Sequence, residues 1–550
     1  MPDMTSLKRS LVAAAVVAAV MPLSANSAET QWSGFAENAT YHRDGVGLSK
    51  FRNTVQAEFL KPIETTGRWY GVSLNGVIRA TYDGVYDLND KEFGKDARHE
   101  YLGENWHSGG DTSNKALTPG VSVPCENDPL LCRNLDGYMD HDADDLRYSD
   151  FNDQMDFIRE LYIDATTDIG DDQLTVRLGK QQIIWGRTDL FRVLDVINPV
   201  DYSRHNIYDE LEDIRIPQWM LSAEWRMGAN SVFDDMNLQV VWNFDKFRPN
   251  NLGTCGEPYR ILDAGCFFSS YIGFPPSFPV PDYAGELIPI IHDVELPEWA
   301  LQNTQGGLKW EGVYGDATFS VNALRYFQQL PSIHFRPGAV PGLPALDGVF
   351  DIHFPRVNLF GGSIDYYHMG TDATWRLEAT YTQGEEFARD LNGYKETDVT
   401  RYVLGLDKNL IIPALGTYSA FLISAQLFGQ QIMDHEDDMP DAKDNITGTL
   451  LFKGFYMNNR LSPQIIIAHD SKAAATVYAP SISYQADNHW SINFGFNIKE
   501  GGKKKFGWSA SALAGEAGVP QWEPLARFAN GPIGVANQED EVQLTIRYGF

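Results

Sequence analysis

Beyond its first 28 residues the chain has no run of about 18 consecutive apolar residues, so nothing there can cross a bilayer as a helix. Cysteine is scarce: four in 550 residues, none in a CxxC pair, which excludes a disulfide-dense scaffold and a four-thiolate zinc site. Positive charge is short as well, with 44 Lys and Arg against 74 Asp and Glu and a net charge of −30, a sign that disfavours a nucleic-acid partner. No GxSxG nucleophile elbow occurs, and the acidic clusters lack the spacing and glycine of an EF-hand loop. With no Pro/Ser/Gly-rich linker and no repeat of fixed period, the chain reads as one domain after its leader.

The leader occupies residues 1–28. Lys8 and Arg9 precede the apolar run Leu11 to Met21, and Ser24, Ala25, Asn26, Ser27 and Ala28 follow, the order of a secretory signal cleaved after Ala28 or after Ser27. The remainder, 29–550, carries abundant apolar material spread thinly. The whole chain is 43% hydrophobic and 12% aromatic, yet its mean hydropathy is −0.31, as expected where each strand gives one face to lipid and one to water.

Period-two alternation supports that reading. Trp490, Ile492, Phe494, Phe496 and Ile498 interleave with Ser491, Asn493, Gly495, Asn497 and Lys499; Trp375, Leu377, Ala379 and Tyr381 interleave with Arg376, Glu378, Thr380 and Thr382. The segments approach the ~9–11 residues of a tilted spanning strand and exceed the ~5–6 of soluble sheets. At the end of the sequence Val542, Leu544, Ile546, Tyr548 and Phe550 alternate with polar residues, resembling the terminal strand that the barrel-assembly machinery reads in bacterial outer-membrane proteins, with Phe550 as the assembly signal.

The fold class is therefore all-β, a transmembrane antiparallel β-barrel. Strands are predicted at 31–42, 49–60, 69–82, 156–168, 172–184, 217–228, 237–247, 303–314, 316–328, 356–368, 372–384, 399–410, 416–429, 446–457, 462–472, 476–486, 489–499 and 540–550. That is about eighteen, with sixteen as the alternative count. Short turns such as 168–171 and 486–488 fall on the periplasmic side, and the long connections 83–155, 185–216, 248–302, 329–355 and 500–539 on the extracellular side. Cys125 with Cys132 and Cys255 with Cys266 fall inside two of these loops and read as two local disulfides in an oxidising compartment. The acidic runs Asp140 to Asp145 and Asp434 to Asp441 read as solvated loops, the rival being divalent-cation binding beside lipopolysaccharide.

The stretch Arg177 to Tyr202, RLGKQQIIWGRTDLFRVLDVINPVDY, holds Arg177, Gly179, Lys180, Gln181, Trp185, Gly186, Asn198, Pro199 and Asp201 in a recognisable order. It resembles the signature of the outer-membrane family catalogued as domain of unknown function 1302 (DUF1302), with Lys180 where that pattern usually has Arg. The resemblance implies a Gram-negative outer-membrane barrel, a periplasmic or lipoprotein-like partner and an inner-membrane transporter of the resistance-nodulation-division (RND) type. It leaves the solute open.

Read on its own, the stretch puts charges of both signs after a strand. Arg177, Gln181, Trp185, Arg187, Asp189, Arg192 and Asp195 are candidates for a constriction inside the lumen, pairing with the inward Arg376, Glu378, Glu160 and Asp164. The rival is a salt-bridged plug with no role in selection. Loop 266–300 is aromatic and proline-rich. Phe267, Phe268, Tyr271, Phe274 and Phe278 are candidates for capture of an apolar solute, the rival being a loop that buries these residues itself. The expected function is an outer-membrane channel for hydrophobic or amphipathic, lipid-like compounds; the rival readings are an aqueous porin, general or substrate-specific, and an outer-membrane lipid hydrolase. No catalytic residue, cofactor or metal is assigned, and the expected surroundings are outer-membrane lipid and lipopolysaccharide.

Overall fold

The computed structural model describes residues 29–93, 157–188, 191–203, 211–252, 257–259, 289–336, 348–389, 393–416, 419–439, 441–472, 474–501 and 540–550. The expected leader 1–28 and all four cysteines lie outside them, as do the capture candidates Phe267, Phe268, Tyr271, Phe274 and Phe278, the constriction candidate Asp189 and the acidic run 140–145.

The first strands are β1 (Gln31–Arg43), β2 (Gly47–Pro62), β3 (Tyr70–Asp83), β4 (Ile158–Ile169), β5 (Asp172–Gln181), β6 (Gln218–Arg226) and β7 (Asp235–Asn243). Then come β8 (Pro289–Glu295), β9 (Gln305–Tyr314), β10 (Ala317–Phe327), β11 (Ser332–Arg336), β12 (Gly348–His353), β13 (Arg356–His368) and β14 (Ala373–Arg389). The last are β15 (Gly393–Leu410), β16 (Phe421–Ile432), β17 (Asp444–Lys453), β18 (Leu461–Asp470), β19 (Ala475–Gln485), β20 (Trp490–Gly501) and β21 (Glu541–Gly549). Eighteen of them form one antiparallel sheet in which each strand pairs with the next barrel strand along the chain, and β21 pairs back onto β1. All eighteen predicted strands are present, with ends displaced by a few residues. The closing seam runs from Phe35↔Gly549 to Arg43↔Glu541. Beyond it Gly34 and Phe550 exchange two backbone hydrogen bonds of 3.0 Å, and the Phe550 ring lies against Gly34.

Side chains are sorted inside out relative to a soluble sheet. On β14, Trp375, Leu377 and Tyr381 face outward and Glu378, Thr380 and Thr382 are buried inward. On β20, Ile492, Phe494, Phe496 and Ile498 are exposed while Asn497 is buried. A soluble sheet would hide the first set; an exposed apolar band over a polar interior suits lipid outside and water inside. Exposed tryptophans flank the band, with Trp32, Trp225, Trp375 and Trp490 towards one rim and Trp219 and Trp242 towards the other. Among the described residues no helix is long and apolar enough to cross a membrane.

The connections following β2, β4, β13 and β19 are short and lie on one rim; the opposite rim carries short ones too, after β1, β14 and β18, beside the longer stretches from β3 to β4, β5 to β6, β7 to β9, β10 to β13 and β20 to β21. Two of the long connections contain strands that the sequence reading left as loop. β8, β11 and β12 make a separate small sheet, β11–β12 antiparallel and β12–β8 parallel, packed beside the upper ends of β14 and β15. Its strands are of five to seven residues and join segments far apart in sequence, so no local alternation announces them.

Candidate functional site

The lumen is crossed by the chain that follows β5, of which residues 182–188, 191–203 and 211–217 are described. Gly179, in the signature, has φ +146° and leaves no room for a Cβ, which would fall 2.2 Å from the Leu161 carbonyl, so only glycine lets β5 pass this close to β4. Lys180 donates to the Ile158 carbonyl at 2.8 Å and Gln181 to the Met220 carbonyl at 2.9 Å, fixing the end of β5 between its neighbours. The chain then leaves the wall and turns inward.

Its apolar side chains hold it there. Trp185, 1% exposed, lies in a buried cluster with Ile183, Leu194, Ile197, Met220, Val241, Leu324, Tyr326, Val357 and Leu359, against β6, β7, β10 and β13. Its indole N–H donates to Gln239 at 2.8 Å, so the ring's one polar atom is satisfied. Gly186 permits the next contact: a Cβ there would lie 3.1 Å from Asp195 and 3.3 Å from Glu378. Across the lumen Phe191 meets Phe428 edge-on at 5.1 Å and packs against Ala468, Ala475 and Val477 on β18 and β19. The segment thus spans from the β5 wall nearly to the opposite wall.

Asn198 fastens the two ends of this excursion together. It is fully buried; its side-chain oxygen accepts the Ile183 N–H at 2.9 Å, and its amide donates to the carbonyls of Gln181 at 3.3 Å and Ile216 at 3.0 Å. Pro199 accepts the Ile216 N–H at 2.8 Å and Asp201 donates to Ile214 at 2.7 Å. The signature residues after the strand therefore build the crossing segment's scaffold.

Of the constriction candidates, Arg187, Arg376 and Glu378 come together. Arg187 forms ion pairs with Asp365 and, at 3.4 Å, with Glu311; its N–H donates to Glu378, and its carbonyl accepts from Arg376 at 3.1 Å. Arg376 also pairs with Asp407, and Lys309 with Glu311 at 2.6 Å. Arg192 and Asp195 lie within the segment's own network: Arg192 donates to the carbonyls of Asp195 and Asn198, and buried Asp195 pairs with Arg215 at 2.6 Å. Trp185 and Gln181 are buried structural contacts. Arg177 stays on the wall, bonded to Asp164 at 2.7 and 2.9 Å and stacked 4.1 Å from the Tyr162 ring.

The expected pairing of the 187–195 charges with Glu160 and Asp164 is corrected by these contacts. Asp164 belongs to Arg177, and Glu160 sits beside Gln182 and Arg159. The acids that meet Arg187 are Asp365 and Glu311, on strands too distant in sequence to be found by local pattern. Arg159 and Arg79, also missed, grip the returning chain: Arg159 donates to the carbonyls of Asp213 and Arg215, and Arg79 pairs with Asp213 at 2.6 Å.

On the long-connection side of the crossing segment lies a cavity of about 310 Å³, between Phe191, Val193 and Val196 and the wall from β10 to β17. Its lining is mixed. Val357, Leu359, Phe387 and Phe428 supply apolar surface, and Thr380, Thr382, Gln430, Asn445 and Thr447 supply polar groups. Tyr202 also borders it, its hydroxyl held above the ordinary phenol value by burial, so it stays a neutral donor. The acidic run near Asp434 is met by basic partners, Arg389 with Asp438 and Glu436 at 2.8 Å and Lys395 with Glu436 at 2.6 Å.

The sequence matches the family described as "Protein of unknown function (DUF1302)" over residues 51–550. No curated protein matches it. Solved structures similar to it include OccAB3 of Acinetobacter baumannii, at 8% identity with 95% of this chain and 99% of that one covered and a TM-score of 0.42. Another is OccK3 (OpdO) of Pseudomonas aeruginosa, at 10% identity, 95% of each chain and 0.42. A third is OpdK of Pseudomonas aeruginosa with vanillate, at 10% identity, 95% and 98%, and 0.39.

Proposed function

The chain belongs to the family described as "Protein of unknown function (DUF1302)", and from that premise we propose that it is an outer-membrane channel of a Gram-negative bacterium passing hydrophobic or amphipathic compounds. One observation carries the reading: the barrel lumen is crossed by an anchored segment, and the cavity beside that segment is lined by aromatic and aliphatic side chains as well as polar ones. A wide aqueous pore has no use for Phe191, Val193, Phe387 and Phe428 in its interior, whereas an amphipathic solute is held by such surfaces and oriented by a few polar groups. The short turns face the periplasm in this reading, and Phe267, Phe268, Tyr271, Phe274 and Phe278 serve as an outer capture surface. A periplasmic or lipoprotein partner and an RND-type transporter complete the path across the envelope.

The test is entry of a fluorescent hydrophobic compound into cells or proteoliposomes carrying the barrel. Uptake is expected to exceed that of empty vesicles and to fall when Phe267, Phe268, Phe274 and Phe278 are replaced by Ser. Equal uptake with and without the barrel, beside free passage of small hydrophilic solutes, would replace this reading with that of an aqueous porin.

A further inference from the structure

The basic groups bordering the lumenal cavity, Arg401, Arg192 and Lys472, are already engaged. Arg401 holds Glu385 with both terminal nitrogens and donates through Nε to Gln430 at 2.9 Å. Arg192 is spent on the carbonyls of Asp195 and Asn198. Lys472 pairs with Asp444 at 3.4 Å. A carboxylate entering here would compete with Glu385 for a guanidinium whose planar fork is filled, leaving one of two buried acids without a partner.

The neutral polar groups differ from one another. Thr447 and Asn445 donate to Asp470 at 2.8 and 2.9 Å, and Gln430 serves Arg401. Thr382 is fully buried on β14, borders the cavity, and its hydroxyl meets no hydrogen-bonding partner among the described residues. A buried hydroxyl left unpaired is costly, and a hydroxyl is both donor and acceptor, so another hydroxyl is its natural complement. Around it Phe387, Phe428, Leu359 and Val193 offer apolar surface for a hydrocarbon body. At about 310 Å³ the space is at the lower end of the roughly 300–1,000 Å³ typical of small-molecule sites.

We propose that this cavity is a binding site for a neutral, hydroxyl-bearing amphipathic molecule, with Thr382 as the residue that recognises its hydroxyl, and that it discriminates against carboxylates. The assignment rests on the channel reading above and names the solute class for the same lumen. The full chain in lipid nanodiscs is dialysed to equilibrium at pH 7 against 2-naphthol, naphthalene and 2-naphthoate, with empty nanodiscs as the blank. 2-Naphthol is expected to bind about 5- to 10-fold more tightly than naphthalene, the worth of one buried hydrogen bond, and 2-naphthoate more weakly than either. Thr382→Val brings the naphthol-to-naphthalene ratio close to one, and Thr382→Ser restores it. Naphthoate bound as tightly as naphthol, or a ratio indifferent to Thr382→Val, overturns the hydroxyl assignment and leaves the apolar-solute channel standing. No binding of any of the three above the blank overturns both.

Discussion

On the wall, Leu377, Phe360 and Ile492 face outward and are exposed while Thr380, Ser363 and Asn497 face inward and are buried; in the crossing segment it is Ile183, Trp185, Leu194 and Ile197 that are buried, inside the lumen. The two meet where the wall departs from its own pattern. Val241, Leu324, Val357 and Leu359 are inward yet apolar, and they are the residues on which Trp185 and Leu194 sit. One side of the lumen is thus prepared for the segment, and the segment is part of the folded body. The wall stands on its closed backbone ladder, the segment on side-chain packing and the Asn198 clamp.

Changes to the two regions should therefore separate. Removing Phe550 strikes the wall: the seam loses two backbone bonds to Gly34 and the feature resembling the assembly signal. The folded, heat-modifiable band in the outer membrane is expected to fall severely. Normal levels would mean that closure does not depend on the last residue. Trp185→Ala strikes the segment alone, at a cost of about 3–5 kcal/mol for a buried aromatic. Hydrogen exchange is expected to accelerate at 182–188 and 191–203 while β13 and β14 stay protected. Acceleration throughout the barrel would show that wall and segment are a single cooperative unit.

The wall was legible because eighteen strands repeat one local rule, apolar every second residue for the length of a spanning strand. The segment was legible only as charge of both signs after β5, since its partners are set by closure of the barrel: Asp365 and Glu311 reach Arg187 from β13 and β9. Trp185 gave no sign of its burial, because nothing near it in sequence says which inward wall positions are apolar. The small sheet β8, β11, β12 escaped for the same reason, its parallel pair joining residues near 290 to residues near 350.

That small sheet supplies a weaker contrast. His334 stacks on His353 at 4.1 Å and on Tyr394 at 3.8 Å, with Glu386 on His334 Nε2 at 2.8 Å and Glu295 on His353 Nδ1 at 3.4 Å. Burial, followed by the neighbouring His334, holds the His353 imidazole below its ordinary value. The unfolded chain then takes the proton first, so the stability contributed here is full above about pH 6.5 and declines as pH falls toward the lowered folded value. Amide protection at Asp351 to His353, corrected for intrinsic exchange, is expected to drop modestly between pH 7.5 and 5.5 and to hold in His353→Gln. A drop of equal size in that variant would assign the effect to other groups.

The most direct measurement of the central claim is single-channel conductance in planar bilayers, comparing the intact chain with Trp185→Ala and with Arg187→Gln. With an anchored segment across the lumen, the intact barrel is expected to conduct weakly. Trp185→Ala should raise conductance several-fold by freeing the segment, and Arg187→Gln should raise it less, by releasing Asp365 and Glu311 from one side chain. A large ohmic conductance in the intact protein, the same in both variants, would contradict the account.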